Sequence, residues 1–496
     1  MKKSADKKDL AATEKAKKPK PAKAGKGNSC PLYKKCGGCQ LQNMTYPEQL
    51  SFKQAKAIRT LGRFGHVEEI IGMEKPLHYR NKVQAAFGTT RGGKIVSGVY
   101  QSSSHNIVLV DECMLEDRIA DKIIVDIRHM LPRYKLTTYN EDTGKGFLRH
   151  VLVKRSFSTG EIMVVLVTGQ HLFPAKKEFL RELLKKHGDI TTVIWNINGG
   201  KTSLVLGDRE EVLYGNGYIE DILCGKRFRI SAKSFYQINP VQTEKLYGTA
   251  IEFANLTGKE TVLDAYCGTG TIGIVASDKA KQVIGVELNE DAVRDAKFNA
   301  RLNKVENIRF FCADAGKFMV AMAEEREKVD VVLMDPPRAG SDLNFLKSVV
   351  TLAPEKVVYI SCNIETQARD LGFLCKNGYK VRKIQPVDMF PHTAHIETVV
   401  LLSQRRPDTH IDIKLDLSEL DITAAETKAT YQEIKDYVLE KYGLKVSTLY
   451  ISQIKAKCGI IERECYNKGE GKSRVPQCPK EKEEAIMDAL RHFKMI

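Results

Sequence analysis

No apolar run in this 496-residue chain approaches the roughly 20 residues that cross a bilayer. The opening MKKSADKK is charged and lacks an apolar stretch behind it, so it does not read as a secretory signal. No segment recurs at a fixed period, which sets aside solenoids and propellers. These absences point to the cytoplasm, with no membrane partner. The 12 cysteines are then expected as reduced thiols, available for metal binding or catalysis rather than paired as disulfides.

Positive charge, by contrast, is in excess. The formal net charge is +16, and residues 1–29 contribute +7 of it through ten lysines against three acids. Their Lys/Ala/Pro composition reads as a disordered basic arm. The rest of the excess falls on folded regions, and a basic surface favours a polyanion, nucleic acid first. The length suits about three domains.

Four zones follow the arm. Residues 30–229 open with CPLYKKCGGCQLQ and continue as short β-rich runs such as KVQAAFG, HVLVKRSF and EIMVVLVTG, with helix-like stretches near 116–131 and 173–187. Across 230–404 apolar strands alternate with helices: TVLDAYC, QVIGVEL, IRFFCAD, VDVVLMDPP and KVVYISC. That rhythm argues a mostly parallel, doubly covered sheet. KVRKIQPV and ETVVLLSQ are too close for a helical crossover, so they should close the sheet as an antiparallel hairpin. A linker, 405–428, leads to a small helical module, 429–496, with two helical patterns joined at Gly443. Its second helix, capped by Ser447, carries a stripe of Leu449, Ile451, Ile454 and Cys458, with Lys455 and Lys457 expected off the stripe.

DAYCGTGTIG follows the first strand of the α/β unit, and Gly268, Gly270 and Gly273 satisfy G-x-G-x-x-G. Glycines there admit a ligand close to the backbone. Alone, the motif suits a nicotinamide dehydrogenase as well as an S-adenosylmethionine (AdoMet) methyltransferase. Glu287, closing the second strand, can take the ribose hydroxyls of adenosine in either case. The fourth strand discriminates. It ends in MDPPRAG, and two prolines after Asp335 make a stiff, donor-free turn at the ligand edge of the sheet. Such a wall serves a methyltransferase acting on a planar base and has no use in a dehydrogenase.

VVYISCN ends the fifth strand in Cys362. A cysteine is more often core filler than nucleophile. This one stands at the strand end, beside Asp335 and the glycine loop, where the switch-point rule places ligands. Asn363 can cap a helix whose positive end should lower the thiol pKa. Covalent catalysis by such a thiol needs a second group that moves a proton. HTAHIETVV supplies Glu397 at the start of the last strand, with His392 and His395 near it.

SFYQINPVQTEKL, DAYCGTGTIG, VIGVEL, MDPPRAG, YISCN and DMFPHTAHIETVVLL, in this order, closely resemble the RNA uracil-5-methyltransferases, and CPLYKKCGGCQLQ resembles the iron–sulfur segment of their bacterial 23S rRNA branch. The resemblance spans roughly residues 30–404 and implies a Rossmann-like AdoMet-dependent methyltransferase domain preceded by a β-rich iron–sulfur domain. It implies that Gln237, Tyr266, Glu287 and Asp335 contact AdoMet, that Cys362 attacks C6 of the uracil, and that Glu397 accepts the C5 proton. The implied product is 5-methyluridine in 23S rRNA. The same reaction on tRNA is the alternative within the class, and an RNA-binding iron–sulfur protein with an inactive methyltransferase fold is the rival outside it. Ile364 stands where the family has proline, at a position that only opens a helix.

Cys30, Cys36 and Cys39 form C-x5-C-x2-C, a metal-binding pattern in a reducing compartment. Cys113, ending a strand of the same domain, is the best fourth ligand. Spacing leaves zinc and iron–sulfur level; the resemblance favours a [4Fe–4S] cluster. Arg80 and Lys82, in HYRNKVQ, are candidate phosphate contacts.

Overall fold

The computed structural model describes residues 30–101, 104–325, 327–404, 431–458, 478–493 and 495; the basic arm and the linker lie outside them. The first unit, to Asp408, is built on two seven-stranded sheets and a hairpin.

The first sheet consists of β1 (Lys82–Thr89), β2 (Ile95–Tyr100), β3 (Ile107–Leu109), β4 (Leu148–Arg155), β5 (Ile162–Thr168), β6 (Ile190–Ile197) and β7 (Arg209–Tyr214), in the order β3-β2-β1-β4-β5-β6-β7. Only β5 and β6 pair in parallel, and the helix Lys176–Lys186 makes the crossover that a parallel pair requires. Every residue of β5, IMVVLVT, is buried. Side chains alternate across a strand, so this run serves two cores. Ile162, Val164 and Leu166 pack with the helices Arg118–Met130 and Lys176–Lys186, while Met163, Val165 and Val167 join the core of the second sheet. Each such residue contributes about 1.5–3 kcal/mol of burial, so the two sheets are welded through a shared core.

β8 (Tyr218–Leu223) and β9 (Lys226–Ser231) form the hairpin. The second sheet then holds β10 (Thr261–Ala265), β11 (Gln282–Glu287), β12 (Ile308–Cys312), β13 (Val331–Met334), β14 (Lys356–Ser361), β15 (Tyr379–Val387) and β16 (Glu397–Gln404), in the order β12-β11-β10-β13-β14-β16-β15. β10 through β14 are parallel; β16 runs antiparallel between β14 and β15. Chain order reverses between β10 and β13, which makes their carboxyl ends the switch point.

Within the stretch expected as one domain, 30–229, the segment around Tyr46–Leu61 packs elsewhere. This helix starts with a capping box, Thr45 with Glu48, and Pro47 in its first turn. Ala57 and Leu61, with Val67 and Ile70 after them, join the core beneath β13, β14 and β16 of the second sheet. Ile71 then pairs with Val387 as an extra bridge at the edge strand.

The second unit, from Thr409, contains the helices Tyr431–Tyr442, Thr448–Lys457 and Lys480–His492 among its described residues. Ile434, Val438, Ile451, Ile454, Ile486, Ala489 and Leu490 form its core. Gly443 ends the first helix at φ +65, and Ser447 Oγ accepts from the Tyr450 N–H at 3.3 Å. Lys455, expected off the stripe, is buried instead, at 4% exposure. The third helix, absent from the sequence reading, covers that side.

Candidate active site

A cavity of about 690 Å³ opens at the switch point of the second sheet. Gln237, Tyr266, Glu287, Asp335, Cys362 and Glu397 all line it. Strand register explains why. Ala265 lies level with Val286 on one side and Met334 on the other, so Tyr266, Glu287 and Asp335 form the next row, at the carboxyl ends of the strands. Ser361 pairs with Thr398 across the antiparallel β14–β16 ladder. One position further, Cys362 leaves β14 where Glu397 enters β16. Residues 35 apart in sequence thus reach one end of the same cavity.

The glycine loop is shaped for a ligand. Tyr266 takes φ +63, a conformation costly for a non-glycine residue and often found at functional sites. Gly268 follows at φ +54, and a Cβ there would meet nothing within 4 Å, so the loop leaves open space. At Gly273 a Cβ would stand 2.7 Å from Asp264 Oδ2. Glycine there lets Asp264 accept the Gly273 N–H at 2.8 Å. Glu287 reaches back to the loop, accepting from the Gly268 N–H at 3.1 Å and the Asn289 N–H at 2.8 Å.

The MDPPRAG turn is pinned from the next helix, Ile364–Lys376. Asn363 Nδ2 and Thr366 Oγ1 donate to the Arg338 carbonyl at 3.0 and 3.2 Å, and Arg369 donates to the Ala339 carbonyl at 3.0 Å. Asn363 caps that helix, accepting from the Glu365 N–H at 3.1 Å. Ile364 opens the helix and packs into the core at 2% exposure.

The electrostatics of the cavity are dominated by buried acids. Burial pushes Asp335 up to about 7 and Asp264 up to about 8. Glu397 is only 5% exposed, and burial together with Asp335 raises its carboxyl well above the usual range, against the opposing pull of Arg338. A strand-start glutamate is ordinarily solvated; this one is not.

Cys362 corrects an expectation. The helix end was expected to lower its thiol pKa, but burial, with Glu397 and Asp335 beside it, raises it, and Arg338 offsets only part. Burial first, and the neighbouring carboxyls after it, work against the half-charge of the helix end.

Sequence reasoning passed over other residues of the lining: Phe235, Tyr236, Tyr247, Asp314, Arg338 and Phe390. Phe235 is 64% exposed at the cavity wall, where an aromatic ring can stack on a planar base. It sits two residues before Gln237, so SFYQINP itself carried the signal. Asp314 follows β12 and caps the next helix through the Lys317 N–H at 2.9 Å.

The four cysteines lie away from this cavity, and every described cysteine is a free thiol. Cys39 and Cys113 both pack against Met73, Tyr79 and Leu115. Burial raises the Cys39 thiol, Gln42 and Arg80 lower it, and Cys36 and Cys30 are close enough to raise it further. Burial also pushes Cys113 up to about 12, with Glu116 adding to it. A Cβ at Gly38 would stand 3.3 Å from Cys36 Sγ, so glycine lets that thiol fold back over the loop. The donor chemistry fits a soft metal or cluster. The side chains share a neighbourhood without closing around a point: among the described residues no three His, Cys, Asp or Glu side chains form a metal-holding group. Arg80 lies beside these thiols and is half-buried.

A mostly parallel sheet with a strained glycine loop, an acid ending the second strand and the two-proline turn after Asp335, all at one switch-point cavity, fits an AdoMet-dependent methyltransferase fold. The particular family follows from comparison with known proteins. Residues 45–405 match the tRNA (Uracil-5-)-methyltransferase family. An uncharacterized RNA methyltransferase of Clostridium acetobutylicum is 45% identical over 382 residues, covering 76% of this chain and 83% of the relative. One from Halalkalibacterium halodurans is 44% identical over 378 residues, covering 75% and 82%. The tRNA (uracil-54, C5)-methyltransferase of Pyrococcus abyssi, solved with S-adenosyl-L-homocysteine, superposes with a TM-score of 0.61 at 31% identity, covering 74% of this chain and 85% of that one. This chain therefore belongs to the RNA uracil-5-methyltransferase family. It is an AdoMet-dependent RNA methyltransferase of the uracil-C5 type. Among the described residues no helix is long and apolar enough to cross a membrane.

Proposed function

We propose that this enzyme makes 5-methyluridine in 23S rRNA, in the cytoplasm, through a covalent bond between Cys362 and C6 of the target uracil. The observation that carries the reading is the single cavity at which the thiol, the buried Glu397 and the four implied AdoMet contacts meet. AdoMet, when bound, supplies an electrophilic methyl group. Glu287 would take its ribose hydroxyls, and Gln237, Tyr266 and Asp335 would hold the rest of it.

The chain's own residues do the following. Cys362 adds as thiolate to C6, and C5 gains the electron density that the flat ring lacks. After C5 has been methylated, Glu397, as carboxylate, takes the C5 proton. The C6–S bond then breaks and the thiol leaves. Glu397 must be ionised before it acts. Arg338 already favours the charged form of Glu397, and the donor's positive charge would add to that when bound.

Cys30, Cys36, Cys39 and Cys113 would hold the [4Fe–4S] cluster as thiolates. Spacing and soft donors suit zinc equally; the resemblance of CPLYKKCGGCQLQ to the family's iron–sulfur segment favours the cluster, and no step of methyl transfer needs its electrons. In the same reading 30–229 binds RNA, 230–404 holds the donor, and 429–496 is accessory.

The test has two parts. Mapping 5-methyluridine in rRNA and tRNA of a deletion strain should show the loss in 23S rRNA; loss confined to tRNA moves the substrate to the alternative. Anaerobically purified protein should be brown, with roughly four iron atoms per chain. Stoichiometric zinc without sulfide would replace the cluster.

A further inference from the structure

The loop Asp388–Ile396 leads straight into Glu397, and one segment of the chain holds it almost residue by residue. Leu41 N–H donates to the His392 carbonyl at 3.0 Å. The Ala394 N–H donates to Gln40 Oε1 at 3.2 Å. Gln49 grips His392 twice: its Oε1 accepts from the His392 N–H at 2.9 Å, and its Nε2 lies 3.1 Å from His392 Nδ1. Lys53 Nζ sits 2.5 Å from Asp388 Oδ1 and donates to the Phe390 carbonyl at 3.0 Å. Tyr46 adds a hydrogen bond to Asp388 at 2.9 Å, and Tyr79 one to the Pro391 carbonyl at 3.0 Å.

The buried stripe of the helix Tyr46–Leu61 shows what this arrangement is for. It reads Gln49, Lys53, Ala57, Leu61. A helix held only by packing would carry apolar residues at all four positions. Here the half nearest the loop is polar, both side chains are fully buried, and the Lys53–Asp388 pair has no exposed side-chain surface on either partner. A buried ion pair is a poor source of stability and a good fixer of register. His392 itself takes φ +68, a conformation that persists only where neighbours hold it.

We propose that Gln40, Leu41, Gln49 and Lys53 form a brace that positions Glu397 for the proton-accepting step. They are positioning residues, since none lines the cavity. The brace begins at the residue after Cys39, so the thiol segment and the base loop are mechanically one piece. The inference rests on the reading of Glu397 as proton acceptor.

The experiment uses the full-length enzyme, methyl-labelled AdoMet, and total RNA from a strain lacking the protein. Wild type, Gln40→Ala, Gln49→Leu and Glu397→Gln are compared for thermal midpoint, AdoMet affinity, release of labelled 5-methyluridine and labelled protein–RNA adduct on denaturing gels. Glu397→Gln should trap methylated adduct, because only elimination is lost. Gln49→Leu should keep AdoMet affinity within about twofold while product release falls about tenfold or more, as a misplaced catalytic group predicts, and the labelled adduct should rise above wild type. Gln40→Ala, an exposed change that leaves folding intact, should show the same pattern more weakly and decides the matter if Gln49→Leu does not fold. Adduct in Glu397→Gln with wild-type turnover in Gln40→Ala and Gln49→Leu overturns the brace. Parallel loss of AdoMet binding and adduct also overturns it, since that is general loosening. No adduct in Glu397→Gln withdraws the base assignment, and the brace with it.

Discussion

In the first sheet several buried polar groups find partners within the protein. Arg149 meets Glu141 through two hydrogen bonds at 2.7 and 2.8 Å, and the Trp195 indole N–H meets Thr168 at 2.7 Å. At the carboxyl edge of the second sheet, Asp264 and Glu397 are buried and Asp335 half-buried, and all three are held above the ordinary carboxylate range. Both sheets have seven strands and buried apolar interiors. What separates them is the sign of the charge that burial disfavours: in the first sheet it lowers the bases His150, to about 4, and Lys154, to about 7, while at the second sheet's edge it raises carboxyls. Acids held out of water are costly, and their gathering at one edge marks where a cationic ligand and a planar base belong.

The largest effect that sharpens this contrast is at the thiol. Cys362→Ala should lower methylation by about 10⁴-fold or more, as losing a nucleophile does, while calorimetry should find AdoMet bound normally. Turnover near wild type would strip the edge of its proposed chemistry.

Next comes a paired test of the two sheets. Leu166→Ala, in β5 at 1% exposure, should destabilise the fold by about 2–5 kcal/mol with little change in kcat for the folded fraction. Asp335→Asn should do the reverse. The Asp335 carboxyl is raised to about 7, so its proton is bound more tightly folded than unfolded. Its stabilising contribution is full below the unfolded pKa, near 4, and is lost as pH rises through about 7. At pH 8 the amide therefore raises the thermal midpoint of the ligand-free enzyme while weakening AdoMet binding. An Asn variant that is less stable at pH 8 would show that the carboxylate is satisfied after all.

A smaller signature is the pH profile. Because the Cys362 thiol is raised above its ordinary range, the thiolate fraction keeps growing through pH 9. kcat/KM, which reports the free enzyme, should climb close to tenfold per unit from pH 7 to 9 without a plateau. A plateau near pH 7 would mean that the helix end governs the thiol.

The smallest effect is expected from the second unit. Ending the chain near Arg406 should leave methylation of a short RNA fragment intact and reduce, at most, affinity for the large RNA, with the loss shrinking as salt rises. Failure on the short fragment would join the tail to the catalytic fold.

Much of this was legible in the chain alone. Alternation of strands and helices from Thr261 onward, the glycine spacing, Asp335 before its prolines and Cys362 at a strand end are local patterns, and local patterns are what a sequence displays. The third helix of the tail, Lys480–His492, was legible too: Ile486, Ala489 and Leu490 recur at helical spacing and went unread. The thiol's direction of shift was not legible, because it depends on burial and on carboxyls that arrive from the ends of β13 and β16.

The sequence by itself determined which residues carry chemistry and which strand each one ends, since period, turn residues and caps act over a few positions. Only the tertiary structure decided that Cys362 and Glu397 share one end of a cavity, that their environment is dry enough to raise both, and that Gln40, Gln49 and Lys53 reach across more than 300 positions to hold the loop between Asp388 and Glu397. Ladder register and burial are sums over distant partners, and no short stretch of chain contains them.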